Sequence, residues 1–286
     1  MDEKVIVAEI SENIIDIEQV IAGKNPALLK ALPGFIINYL KRVIHQKDLN
    51  AAIYANRKKQ GLDFVDAILL EFGAKISTVG LENVPKQGRY LIASNHPLGG
   101  LDGVALMGVV GKVRKDIVFP VNDLLMNVPN ISDHFIPVNK HGSNAGNITV
   151  FEDTFASDKT VLYFPAGLCS RKQKGKIADL EWKKSFITKS RKHERDIIPV
   201  HIDGRNSGFF YNLANFRKWM GIKANIEMLY LVDEMYKQKN KQVKIIFGKP
   251  IPYQVFDKRY TDSQWAQLVK AFVYSLEKNP EGIFPY

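Results

Sequence analysis

The sequence predicts an α/β fold: a mixed, largely parallel sheet flanked by helices, preceded by a helical N-terminal region. Three observations carry this expectation. The first 75 residues repeat apolar positions at three- and four-residue spacing, later residues alternate short β-rich runs with amphipathic segments, and 286 residues with 45% apolar content suffice for a full-sized core.

In chain order, "VIVAEISENIIDIEQVI", "PALLKALPGFIINYLKRVI" and "DFVDAILLEFG" read as helices. The second mixes apolar residues with Lys30, Lys41 and Arg42, a composition suited either to a membrane surface or to a helical cap on the domain. From about residue 76, strands are expected at "RYLIASN", "DIVFPVN", "HFIPVN", "TVLYFPAG", "DIIPVHID" and "VKIIFGKPI". Helices are expected over 103–112, 144–157, 181–193, 207–219, 226–238 and 262–277. That division gives a helical region over 1–75 and a catalytic-sized domain over 76–286, with helices on both faces of the sheet.

The charge is asymmetric. Lys and Arg number 40 against 30 Asp and Glu, a net charge of +10, which favours polyanionic partners. Ten Lys or Arg face four Asp or Glu between residues 171 and 196. Cys169 is the single cysteine, so neither an internal disulfide nor a cysteine-based zinc site is available. The acidic start "MDEK" does not resemble a secretory signal, and no apolar run reaches the roughly 18 residues of a membrane span. A cytoplasmic protein with peripheral membrane contact is therefore expected.

Motifs for phosphate loops, dinucleotide fingerprints, zinc helices and serine nucleophile elbows are absent from the sequence. What stands out is "NHPLGGLDG", residues 95–103, at the end of an apolar strand. Gly99 and Gly100 permit a tight reversal that could fold Asp102 onto His96. A carboxylate on one ring nitrogen would make the other a general base. Equally, Asp102 could be an ordinary N-cap of a helix beginning at Gly103, and His96 a strand-closing residue. Residue chemistry alone leaves these two readings level.

Three further blocks follow: "HFIPVNKHG" at 134–142, "VLYFPAGLCSR" at 161–171 and "DIIPVHIDG" at 196–204. Together with "NHPLGGLDG", they resemble, in order, the four motifs of the glycerolipid (lysophospholipid) acyltransferases. The NHPxGxxDG and FPAG forms, and "GRNSGFFYNLANFRKW" at 204–219, resemble the hemolysin-like bacterial branch. In that resemblance His96 and Asp102 form a catalytic dyad, at H-x5-D spacing rather than the usual H-x4-D. Ala166 stands where the better-known branch has Glu, and Asn139 with Lys140 where a phosphate-binding Arg is usual.

The resemblance implies transfer of a fatty acyl group from acyl-CoA or acyl-ACP to the hydroxyl of a lyso-lipid, either a lysophospholipid or a lyso-aminolipid. It implies no metal and no cofactor beyond the acyl thioester, and a setting on the inner membrane face. Acyl carrier protein and an anionic membrane surface are the expected partners. Backbone amides around Gly99 and Gly100 or at the following helix start could receive the oxyanion. Arg171 and Lys172 are the first candidates for anion contact and Lys140 the next; Asn139, Gly167 and Ser170 complete the expected substrate site. A thioesterase using the same dyad is the alternative, and a nucleic-acid-binding protein a more distant one. Cys169 is expected to be an apolar filler rather than a nucleophile. His201 is expected to be structural, and His45, His134, His141 and His193 show no metal-ligand spacing.

Overall fold

The computed structural model describes residues 14–121, 126, 128–137 and 145–286. Among the described residues five short helices come first: α1 (Ile17–Lys24), α2 (Pro26–Ala31), α3 (Gly34–Val43), α4 (Gln46–Ala55) and α5 (Gly61–Glu71). Their breaks follow from single residues. Asn25 closes α1 and caps α2 by accepting the Leu28 amide at 3.0 Å, while Pro33, extended before α3, cannot continue α2.

The sheet contains β1 (Lys75–Val79), β2 (Tyr90–Ser94), β3 (Ile117–Val121), β4 (Phe135–Pro137), β5 (Thr160–Tyr163), β8 (Asp196–Asp203) and β9 (Gln242–Phe247). A separate antiparallel hairpin is formed by β6 (Arg171–Gln173) and β7 (Lys176–Ala178). Across the seven-stranded sheet the order is β1-β9-β8-β2-β5-β3-β4. Every neighbouring pair is parallel except β8 with β9, where Val200 faces Phe247. The mixed, largely parallel sheet is therefore as the sequence predicts.

Strand side chains alternate between two apolar layers, as the period of two requires. Ile92, Leu162, Ile198 and Ile245 face α5 and α6 (Leu101–Val113). Leu91, Ala93, Val161, Ile197 and Ile246 face α7 (Ala145–Ala156), α8 (Ser185–Lys192) and α11 (Asp262–Ser275). The remaining α-helices among the described residues are α9 (Gly208–Trp219) and α10 (Leu231–Lys237).

The helical N-terminal region joins the core through α5. A Cβ on Gly108 would lie 2.5 Å from Leu69, and one on Gly111 2.9 Å from Leu62, so α5 and α6 approach at glycine-sized contacts. Phe64, Val65 and Leu69 are buried in the same cluster as the strands.

Several boundaries depart from expectation. Helix α6 starts at Leu101 with Gly100 as N-cap, two residues earlier than the sequence suggests. The helix expected over 181–193 is confined to α8, because the backbone of Trp182 is held by Gln267 of α11 and its indole by Asp179. The helix expected over 226–238 divides into a 3-10 turn, Ile226–Tyr230, and α10. Strand β1 and the β6–β7 hairpin were not foreseen.

Candidate active site

The turn between β2 and α6 is built from local constraints. Asn95 ends β2 by pairing sideways with β8, donating to Ile202 O at 2.9 Å and accepting its amide at 2.7 Å. Gly99 has φ +81°, the left-handed region that a side chain disfavours, and this reversal brings Asp102 back to His96. Asp102 Oδ2 lies 2.9 Å from His96 Nδ1 and also accepts the amides of Leu98 at 2.9 Å and Gly99 at 3.2 Å. Its Oδ1 accepts the Gly103 amide at 2.9 Å.

Asp102 is fully buried. Burial alone would raise its carboxyl pKa, but the charge and hydrogen bond of His96, with the Leu98 and Gly99 amides, outweigh it and hold the group below its ordinary value. The first turn of α6 adds a favourable dipole. Asp102 is not the N-cap, since Gly100 holds that position. The carboxylate instead closes the preceding turn and orients the imidazole, so the pairing of His96 with Asp102 exists and the capping reading is corrected.

The His96 ring stacks on Phe164, with centroids 4.0 Å apart and planes at 18°. An ionised Asp102 takes the Nδ1 proton as a hydrogen bond and leaves Nε2 as the basic nitrogen. Nε2 has no hydrogen-bond partner among the described residues, and the side chain is 15% exposed.

The His96 main chain is fastened as firmly as its ring. Its amide donates to Asp179 at 3.2 and 3.3 Å, and its carbonyl accepts the Ser170 amide at 2.8 Å. Asp179, itself buried, also accepts from Ser170 Oγ at 2.6 Å and Trp182 Nε1 at 2.9 Å. Tyr274 OH accepts the Asp179 amide at 2.8 Å. Sequence reasoning missed Asp179 as a positioning residue, since nothing local marks an acid 83 residues from its histidine. Phe164 belongs to the FPAG block, where nothing local marks it as the ring that stacks on His96.

The other expected site residues divide. Gly167, at φ +65°, forms an exposed turn after β5 with Lys183 nearby, and Ser170 is buried and committed to Asp179. Lys172 is exposed on β6. Arg171 is buried: it bonds Glu227 at 2.9 Å, Cys169 O at 2.7 Å and Cys169 Sγ at 2.9 Å, so its charge is spent inside rather than offered to an anion. Glu227 is held from its other side by Arg217. The Gly99 amide is taken by Asp102, whereas that of Gly100 has no acceptor among the described residues. Asn139, Lys140 and His141 lie outside the described residues.

Burial pushes the Cys169 thiol up to about 11 against the pull of Arg171. His201 is buried edge-on to Tyr274 at 5.6 Å, and burial lowers its pKa. His45 lies between Asp48 and Asp233, His134 on Ile117 O and His193 on Glu152. Within the basic run, Arg195 is buried among the carbonyls of Tyr90, Phe155 and Lys159. Trp182 and Phe186 are buried too, leaving no aromatic stacking platform in that run.

The chain is similar to several known proteins. Residues 19–279 match a family described as acyltransferase. Two curated relatives, from Bacteroides thetaiotaomicron and Phocaeicola vulgatus, are 48% and 49% identical over 265 residues. The matches cover 92% of this chain and 97% and 95% of theirs, and both relatives are named lyso-glycine lipid O-acyltransferase. Among solved structures, the 1-acyl-sn-glycerophosphate (LPA) acyltransferase PlsC from Thermotoga maritima aligns over 96% of this chain and 98% of its own, at 15% identity and a TM-score of 0.49.

Proposed function

The chain belongs to the acyltransferase family, and from that premise we propose that it moves a fatty acyl group from a thioester onto the hydroxyl of a lyso-aminolipid, a lyso-glycine lipid foremost. The observation that carries the chemistry is the 2.9 Å contact of Asp102 with His96 Nδ1, which leaves Nε2 available to a substrate. The named relatives support the acceptor class.

In this reading His96 Nε2 takes the proton of the lipid hydroxyl as its oxygen attacks the thioester carbonyl. Asp102 holds the imidazole and stabilises the imidazolium. The tetrahedral oxyanion finds a donor in the Gly100 amide and the first turn of α6. Collapse breaks the C–S bond, and the departing thiolate recovers the proton from His96, yielding a two-chain lipid and a free thiol. Phe164 shields one ring face from water. General-base assistance of this kind contributes about 10²–10⁴ in rate.

The donor is acyl-CoA or acyl-ACP, both of which carry negative charge. Exposed Lys172, Lys174 and Lys176 on the β6–β7 hairpin, directly after the loop that holds His96, suit either one. No described helix is long and apolar enough to cross a membrane, and we assign the protein a peripheral place on the inner membrane face.

The test supplies purified protein with labelled acyl-ACP or acyl-CoA and lyso-glycine lipid. Acceptor-dependent formation of the diacylated lipid, lost in His96→Ala, is the expected result. Acyl release that ignores the acceptor would identify a hydrolase and sink the proposal.

A further inference from the structure

Helix α9 has two apolar faces, and only one is covered. Phe210, Tyr211 and Ala214 are buried, the first two packed with Cys169 behind the catalytic turn. The opposite face carries Phe209, Phe216 and Met220 at helix spacings of seven and four, with Trp219 beside them and Ile222 just past the helix end. All five are exposed, Trp219 to 79% and Phe216 to 54%. The rings of Phe216 and Trp219 lie 5.8 Å apart. Single exposed apolar side chains are ordinary, but a contiguous group on one helix marks a contact surface.

The charge around this surface identifies the occupant. From Gly204 to Ile226 the chain has four basic residues and no acidic one. Arg217 is turned inwards onto Glu227, while Lys218 and Lys223 are exposed at the rim. An apolar tip with a cationic rim complements an anionic bilayer, where aromatic and methionine side chains reach the acyl boundary and lysines meet headgroups.

We propose that the exposed face of α9, from Phe209 to Ile222, is a bilayer-contact surface for anionic membranes. The choice of a bilayer over a protein partner rests on the lyso-lipid acyltransferase reading. The placement also has a functional logic. The covered face of α9 packs on Cys169, and Leu231 of the following helix lies against Gly99, so one layer of side chains separates the membrane contact from the His96 turn.

The molecule supplies its own reporter. It has three tryptophans, and Trp182 and Trp265 are 1% and 0% exposed, so a change in emission on binding without unfolding reports Trp219. The full chain is mixed with vesicles of phosphatidylcholine and phosphatidylglycerol. A blue shift, quenching by acyl-brominated lipid, and weakening in pure phosphatidylcholine or high salt are expected. The exposed-face double variant Phe216→Ser/Met220→Ser should bind vesicles at least about tenfold more weakly, with unchanged circular dichroism.

Vesicle binding without any change at Trp219 would overturn the proposal, since contact would lie elsewhere. So would a blue shift that grows with protein concentration in the absence of lipid, which would make the face a contact between copies. Transfer activity is assayed separately on a dispersed short-chain acceptor. Loss of transfer with the Trp219 shift retained defeats the functional reading alone, and the converse defeats this inference alone.

Discussion

The backbone amide of His96 donates to the carboxylate of Asp179, 83 residues away, at 3.2 Å, so a second buried acid holds the main chain while Asp102 holds the ring. The same carboxylate gathers the Ser170 hydroxyl and the Trp182 indole. One group thus sets the distance between the β2 turn and the loop after β5.

Asp179→Asn turns one acceptor oxygen into a donor facing other donors. A buried donor left unpaired costs about 1–3 kcal/mol, and urea denaturation should show a loss of that size. Turnover should fall beyond the loss of folded protein, with little change in KM for the acyl donor. Activity that merely tracks the folded fraction would remove the positioning role.

Asp102→Asn should lower turnover by about 10²-fold or more, and His96→Ala should abolish it. The Asp102 carboxyl is held below its ordinary 3.8, so its ionised form stabilises the fold above that value and the contribution disappears as pH falls through the lower folded value. The stability gap between wild type and Asp102→Asn should therefore be widest near neutral pH and close in acid below about pH 4. A gap that widens in acid would contradict the assigned ionisation.

Gly99→Ala puts a Cβ 2.6 Å from Leu231 Cδ2 at φ +81°. Overpacking and backbone strain together should cost about 2–4 kcal/mol. Adding Leu231→Ala removes the clash but not the strain, so the double variant should be more stable than the sum of the singles predicts. Thermal melts of the four proteins measure the coupling.

Cys169 should resist thiol reagents in the folded protein at pH 8, because its thiol is buried and raised to about 11. Denaturation should make it react at the ordinary rate. Cys169→Ala should retain transfer activity, which an acyl-cysteine mechanism would not permit.

The contact of Asp102 with His96 is legible in the sequence as one of two level readings, because two glycines fall within their six-residue separation. The sequence conceals the partners that come from afar. Asp179 sits in a stretch whose charge pattern resembles the start of a helix, and only the folded sheet brings it under His96. In the sequence Arg171 looks like an anion contact and Arg195 like one more charge in the basic run between residues 171 and 196. Their burial depends on Glu227 in one case and on main-chain carbonyls around β2, α7 and β5 in the other. The β6–β7 hairpin escapes because two three-residue strands rich in lysine show no apolar alternation. Alternation and helical spacing did disclose the large elements, since each of those buries a continuous face.

The pairing of β1 has a consequence for how the protein is made. Its only strand partner among the described residues is β9, with Lys75 opposite Gln242. A ribosome synthesises β1 long before β9, so β1 has no strand partner among the described residues until β9 has emerged. Closing so long a loop makes completion of the sheet a late event, and the nascent chain is open to misassociation and to chaperone capture until β9 inserts between β1 and β8.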